Sequence, residues 1–183
     1  MDRQRARELV AKYAHKDVTV RHLISVEGVM RALARRFGED EDRWGLTGIF
    51  HDLDYDALEK DLSRHTDQTV EWLRAEGYSD EQVLNAIRAH LHEPLRTDLL
   101  SKAIVHADAV AGLLVACALV RPEKTDGMKV SSVKKKLKDK SFAPGVDRAE
   151  IRDVEGAIGL PLDEFISVSI SGLQEVAPEI GLG

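Results

Sequence analysis

The adjacent pair His51-Asp52 stands among most of the seven histidines of this chain. His22 precedes it, and His65, His90, His92 and a late Asp108 follow. Imidazole nitrogens and carboxylate oxygens are ligands for borderline divalent ions, and several on neighbouring elements can form one cage. Adjacent helical residues point about 100° apart, so one ion can be held by both His51 and Asp52. The second oxygen of Asp52 can bridge to another ion. One ion would then take His22, His51, Asp52 and Asp108. The other would take Asp52, His65 and His90 and keep positions open for water. Two ions roughly 3.5–4 Å apart hold a hydroxide and polarise a phosphoryl oxygen. The expected cofactor is therefore a pair of divalent ions, with Mn, Fe, Co, Ni and Zn all compatible with the donor set. Asp108 adds a second argument. It lies within an apolar helix, where an unpaired carboxylate is costly and an ion would neutralise it.

Helices must position these residues. The pattern predicts one over Arg3–Tyr13 and a second from about Val20 to Phe37, with Asp17 or Thr19 as its cap. Leu23, Val26, Val29, Met30, Leu33 and Phe37 follow the helical period in it, and Gly38 stops it. A third is expected from Asp42 to His51, followed by the polar stretch HDLDYDALEK. A fourth runs from Arg64 to Glu76. Ser79 with Gln82 forms a capping-box pattern for a fifth, Asp80 to His90. A sixth covers Asp98 to Leu119. A short basic helix over Ser131–Lys138 follows. Asp147 with Glu150 forms a second capping-box pattern, for a helix reaching Ile158, and Pro161 opens a last one toward Val176. No alternating strand pattern occurs. The expected fold is all-α, one domain over residues 1–183, with a core at about 18–120 and additional C-terminal helices.

Apolar residues make up 43% of the chain, enough for a real core, while the net charge of −6 argues against a general binder of nucleic acid or membrane surfaces. The charge is uneven. Lys129 to Lys140 holds six lysines and Asp139, a local +5, which leaves about −11 elsewhere. Few aromatics lie near this stretch, so base stacking on a nucleic-acid polymer has little support. Cys117 is the single cysteine, which excludes an internal disulfide and a thiolate cluster. The start, MDRQRARELV, lacks the apolar stretch of a signal peptide. The apolar run from Ala109 to Val120 is too short to span a bilayer. The expected location is the cytoplasm.

The order histidine, HD, late aspartate (His22, His51-Asp52, Asp108) resembles the HD-domain superfamily of metal-dependent phosphohydrolases. The intervening His65 and His90 resemble the extra ligands of its dinuclear members. The segments HLISVEGVMRALA, WGLTGIFHDLDYD, LVRPEK and VSSVKKKLKDKSFAPGVDR are also similar to a narrower group of predicted HD hydrolases without an assigned substrate. One departure stands out. The common HDIG form has glycine where this chain has Asp54, a carboxylate placed to tune the metals or to contact substrate.

The resemblance implies hydrolysis of a small phosphate ester, such as a nucleotide, by a metal-bound hydroxide. Asp52 and His92 are the expected catalytic residues, His92 as proton donor. Lys134, Lys135 and Lys136 with Arg148 are the expected substrate-binding cations, forming a lid over an anionic metabolite. Two alternatives are a mixed-valent diiron oxygenase with the same ligand pattern and a non-catalytic metal-binding module.

Overall fold

The computed structural model describes residues 1–58 and 62–183, and among these every regular element is helical. The helices are α1 (Arg3–Tyr13), α2 (Asp17–Phe37), α3 (Glu41–Phe50), α4 (Tyr55–Leu58), α5 (Asp67–Ala75) and α6 (Glu81–Leu91). They continue as α7 (Leu99–Leu119), α8 (Val130–Lys138), α9 (Arg148–Arg152), α10 (Val154–Ile158) and α11 (Leu162–Val176). Short 3-10 turns at Leu62–Arg64, Glu93–Leu95 and Ala177–Ile180 link or end them. Glu59 and Lys60, the end of the polar stretch, lie outside the described residues.

Helix α2 is the axis of the molecule. Its periodic face, Leu23, Val26, Val29, Met30 and Leu33, is fully buried, and α3, α7 and α11 pack around it. Glycines allow two very close crossings. A Cβ at Gly48 of α3 would meet the Glu27 Cα at 2.9 Å and the Val26 carbonyl oxygen at 2.9 Å. Gly28 and Gly172 face each other across α2 and α11, each blocking the space a Cβ would need. The C-terminal helices thus share the core: one hydrophobic cluster runs from Ala6 to Leu182.

Helix α7 carries Asp108 through this core. The whole helix, unlike the shorter run from Ala109 to Val120, is long and apolar enough to cross a membrane by length and composition, but 67% of its apolar window is buried inside the protein. That burial is what a core helix shows. A capping box starts it: Ser101 N–H donates to Asp98 Oδ1 (2.7 Å), and Asp98 N–H donates to Ser101 Oγ (3.0 Å).

Several helix starts differ from the sequence pattern. Neither Asp17 nor Thr19 caps α2. Lys16 is the N-cap, and Asp56 accepts from the backbone N–H of His15 and Lys16, both at 2.8 Å, and from the Thr19 hydroxyl at 2.7 Å. Asp80, not Ser79, caps α6, accepting from Gln82 N–H and Val83 N–H. Asp147 does cap α9, but Glu150 turns to Arg96 and the expected single helix breaks at Asp153 into α9 and α10.

Candidate metal centre

Four elements converge on Asp52. His22 comes from the second turn of α2, His51 and Asp52 from the turn ending α3, His90 from the last turn of α6, and Asp108 from the middle of α7. His65 arrives from the turn before α5, not from a helix start as expected. The reason is Thr66, whose φ of 70° breaks the helix, while Thr69 N–H donates to Asp54 Oδ2 (3.0 Å) and fixes the start of α5 at the site.

The donor atoms form two overlapping triads, His22–His51–Asp108 and His51–Asp52–His90, each with its atoms within 4.8 Å of one another. His22 Nε2 lies 2.9 Å from Asp108 Oδ1 and 3.2 Å from His51 Nε2. The two oxygens of Asp52 face different histidines. Oδ2 is 3.7 Å from His51 Nε2, while Oδ1 is 3.1 Å from His65 Nε2 and 3.3 Å from His90 Nε2. His51 thus belongs to both triads, a sharing the expected partition did not include.

Two acceptors fix the histidine tautomers. His51 Nδ1–H donates to the Gly48 carbonyl (2.8 Å), and His65 Nδ1–H donates to Asp54 Oδ1 (2.7 Å). Each interaction leaves Nε2 aimed at the centre, the arrangement by which outer partners orient metal-binding imidazoles. Asp54 is fully buried. Its carboxylate therefore bears on the cluster through His65 and has no exposed surface.

The electrostatics have one theme. Burial alone would raise the carboxyl of Asp52, but the charge of His51 and the close nitrogens of His65 and His90 hold it well below the usual range. For Asp108, burial is likewise outweighed by His22 and His51, and its carboxyl is held far down. Burial opposes protonation of His65, yet Asp52 and Asp54 raise it to about 9. Burial also opposes protonation of His22, and Asp108 overcomes it, raising this group as well. Both aspartates are therefore anions at neutral pH, suited to hold a cation and not to donate a proton.

The residues fit a divalent ion. Asp52 Oδ1 and His90 Nδ1 are buried without a hydrogen-bond partner, although histidine nitrogens stand near the former. Lone pairs of imidazoles and carboxylates that converge in this way can share a cation.

A cleft of about 440 Å³ opens beside His22, His90 and Asp108. Gly145 to Asp147 and Glu150 also line it, and among the described residues Arg96 is the one arginine or lysine that does. Arg96 was not singled out by sequence; a lone arginine after Pro94 carries no pattern. Its Nε donates to the Ala89 carbonyl (3.0 Å), Nη2 to the His90 carbonyl (3.2 Å) and Nη1 to Glu150 Oε1 (3.2 Å). It thus ties the end of α6, and with it His90, to α9.

The remaining expected residues are not brought to this cleft. His92 is an exposed cap at the end of α6. Lys135 and Lys136 line a different cavity, with Cys117 and Arg121, and Lys134 pairs with Asp163 at 2.5 Å. Cys117 is nine residues beyond Asp108 on α7, about 14 Å along the axis at 1.5 Å per residue. The guanidinium of Arg148 is buried and donates to the carbonyls of Asp139, Phe142, Ala143 and Val146. It holds the 139–146 loop and has no group turned to a phosphate.

A family model described as HD domain matches residues 19–113, more than half of the chain, a span that contains all six converging side chains. No curated protein and no solved structure matches the chain.

Proposed function

The chain belongs to the HD-domain family, and on that premise we propose that it is a metal-dependent phosphohydrolase acting on a small phosphate ester. The observation that carries this reading is the convergence of His22, His51, Asp52, His65, His90 and Asp108 around orphaned buried donor atoms, beside an open cleft. A closed structural site would leave no such opening. Divalent ions bound here supply Lewis acidity and acidify water.

The chain's own groups do the rest. Asp52 spans the site with its two oxygens, and His51 shares its Nε2 between the two halves. His65 is held by Asp54, so its Nε2 needs no reorganisation when the site fills. Arg96 places a cation in the cleft beside His90 and offers charge-assisted hydrogen bonds to a phosphate oxygen. The volume of the cleft suits a small molecule and supports an ester, not a polymer, as substrate.

The test is phosphate release by Mn-, Fe-, Co-, Ni- and Zn-loaded protein across a broad panel of monoesters and diesters, with metal per chain measured in each sample. Release from at least one class, lost in Asp52→Ala, is expected. No release from any member in any metal form overturns the reading. Oxygen uptake by iron-loaded protein with no phosphate release replaces it with the oxygenase reading.

A further inference from the structure

A second cavity, of about 470 Å³, adjoins the metal centre. It shares two residues with the polar cleft, His22 and Gly112, so the two spaces meet at the side of a candidate ligand. Its character is different. Val18, Val115, Leu119, Ile180 and Leu182 make its walls, and its polar groups, Asp17, Arg21 and His22, come from one element, the start of α2. Val18 is 71% and Leu119 66% exposed, unusual for large apolar side chains that are neighbours in one groove. Arg21 leans loosely on Asp17, at 3.6 Å, with both side chains largely in solvent.

Gly112 marks the junction. It lies within α7, where glycine is disfavoured relative to alanine, and a Cβ there would meet only Val146 Cγ2, at an ordinary 3.5 Å. Helix packing therefore does not require glycine at this position. What its missing side chain provides is open space between the groove and the centre.

We propose that this groove receives an apolar organic group, alkyl or aryl, of an ester whose phosphate lies at the metal centre. The proposal rests on the phosphohydrolase reading and narrows its substrate to amphipathic phosphate esters. Continuity with the centre at His22 and Gly112 argues for one ligand spanning both spaces. The separation of polar from apolar walls matches a molecule with a charged head and an apolar body. Along the walls made by Val18, Val115, Leu119, Ile180 and Leu182, sugar hydroxyls would lose hydrogen bonds to water without replacement.

The experiment is calorimetric titration of Mn-loaded protein with methyl-, butyl- and octylphosphonate, which bind without being hydrolysed. A methylene buried in full is worth about fourfold in affinity, so octylphosphonate is expected to bind at least about tenfold more tightly than butylphosphonate. Two variants test the location. Gly112→Leu fills the junction, and Val18→Glu with Leu119→Glu, both at exposed positions, charges the walls. Each should abolish the chain-length dependence while metal content and helical signal persist. Equal affinity for the three phosphonates, no binding of any, or a dependence unchanged in both variants overturns the proposal. So does a dimer in sedimentation that the charged double variant dissociates, since a second copy would then cover the groove. The two readings fail separately: hydrolysis of short esters with flat phosphonate affinity sinks only the groove, and graded affinity without any hydrolysis sinks only the phosphohydrolase.

Discussion

Two segments of this chain are dense in charge, and they behave in opposite ways. In HDLDYD, three aspartates alternate through the turn after α3 into α4, and each has a separate duty. Asp52 faces the histidines of the centre, Asp54 holds His65 and the start of α5, and Asp56 holds the start of α2. In α8 the lysines project outward from an apolar seam of Val133 and Leu137. Their interactions are peripheral: Lys134 pairs with Asp163, and Lys136 lies 4.3 Å over the Phe142 ring. The difference is burial. A buried carboxylate is destabilising unless partners converge on it, so it organises its surroundings. An exposed ammonium remains hydrated and organises little.

The sharpest way to break the contrast is Asp52→Ala. Activity should fall to background, and bound metal should drop more than in any single histidine variant, because Asp52 alone faces His51 with one oxygen and His65 and His90 with the other. Elemental analysis of the purified variants checks this. Metal loss in His65→Ala equal to or greater than that in Asp52→Ala would remove the bridging role. Asp52→Asn, nearly isosteric, controls for folding.

Asp54→Asn comes next. The amide still matches the shape but loses the charge that holds His65, so metal affinity should fall by about 10–100-fold, the usual effect of losing an outer partner. Titration with Mn²⁺ measures it. Unchanged affinity would make Asp54 a cap for α5 and nothing more.

The sequence made the histidine–aspartate cluster legible because histidine and aspartate at those helical positions have few other uses. It also revealed the main helices, since the 3.6-residue period is local information. It was silent where a tertiary bond outranks a local one. Arg64 and His65 read as the start of a helix, but Asp54, distant in sequence, bonds Thr69 N–H and moves the start to Asp67. The same holds for α2, where Asp56 supplies the cap that Asp17 and Thr19 were expected to supply. Arg148 looked like a phosphate ligand because its carbonyl partners are invisible before the loop is folded. Arg96, which does line the cleft, carried no sequence pattern at all.

A smaller effect follows from the protonation of His65. In metal-free protein its folded-state value is about 9, above the unfolded value of about 6.5. Protonation therefore favours the folded form. This contribution is fully present below pH 6.5 and is lost as pH rises through 9. Metal binding has the opposite slope, because an ion held by His65 must displace that proton. Metal-free protein should lose thermal stability between pH 6.5 and 9, while Mn²⁺ affinity rises over the same window. His65→Gln should flatten both trends. Melting curves in chelator at four pH values, with a parallel set of Mn²⁺ titrations, check the sign, and a melting temperature that rises with pH in the metal-free wild type contradicts it.

The smallest effect should come from Lys134, Lys135 and Lys136 changed together to glutamine. Their charge dominates a local +5, and in sequence they invite a role as a lid. In the fold Lys134 pairs with Asp163, and Lys135 and Lys136 line a cavity with Cys117, well along α7 from Asp108, that shares none of the described residues with the cleft beside His90. At physiological ionic strength the screening length is about 8 Å, shorter than that separation, so their field at a bound phosphate is weak. Lys135 is exposed and Lys134 and Lys136 are half-buried, with no buried network behind them, and surface substitutions of this kind change stability by about 0.5 kcal/mol or less. The triple variant should therefore keep its metal content, its melting temperature and its kcat/KM for the best substrate at 0.15 M salt. A kcat/KM that drops several-fold and whose deficit shrinks as salt is raised would restore the lid, because only charges near the substrate show that dependence. Retained activity alongside a dead Asp52→Ala would confirm that density of charge in sequence marks a site only where the fold buries it.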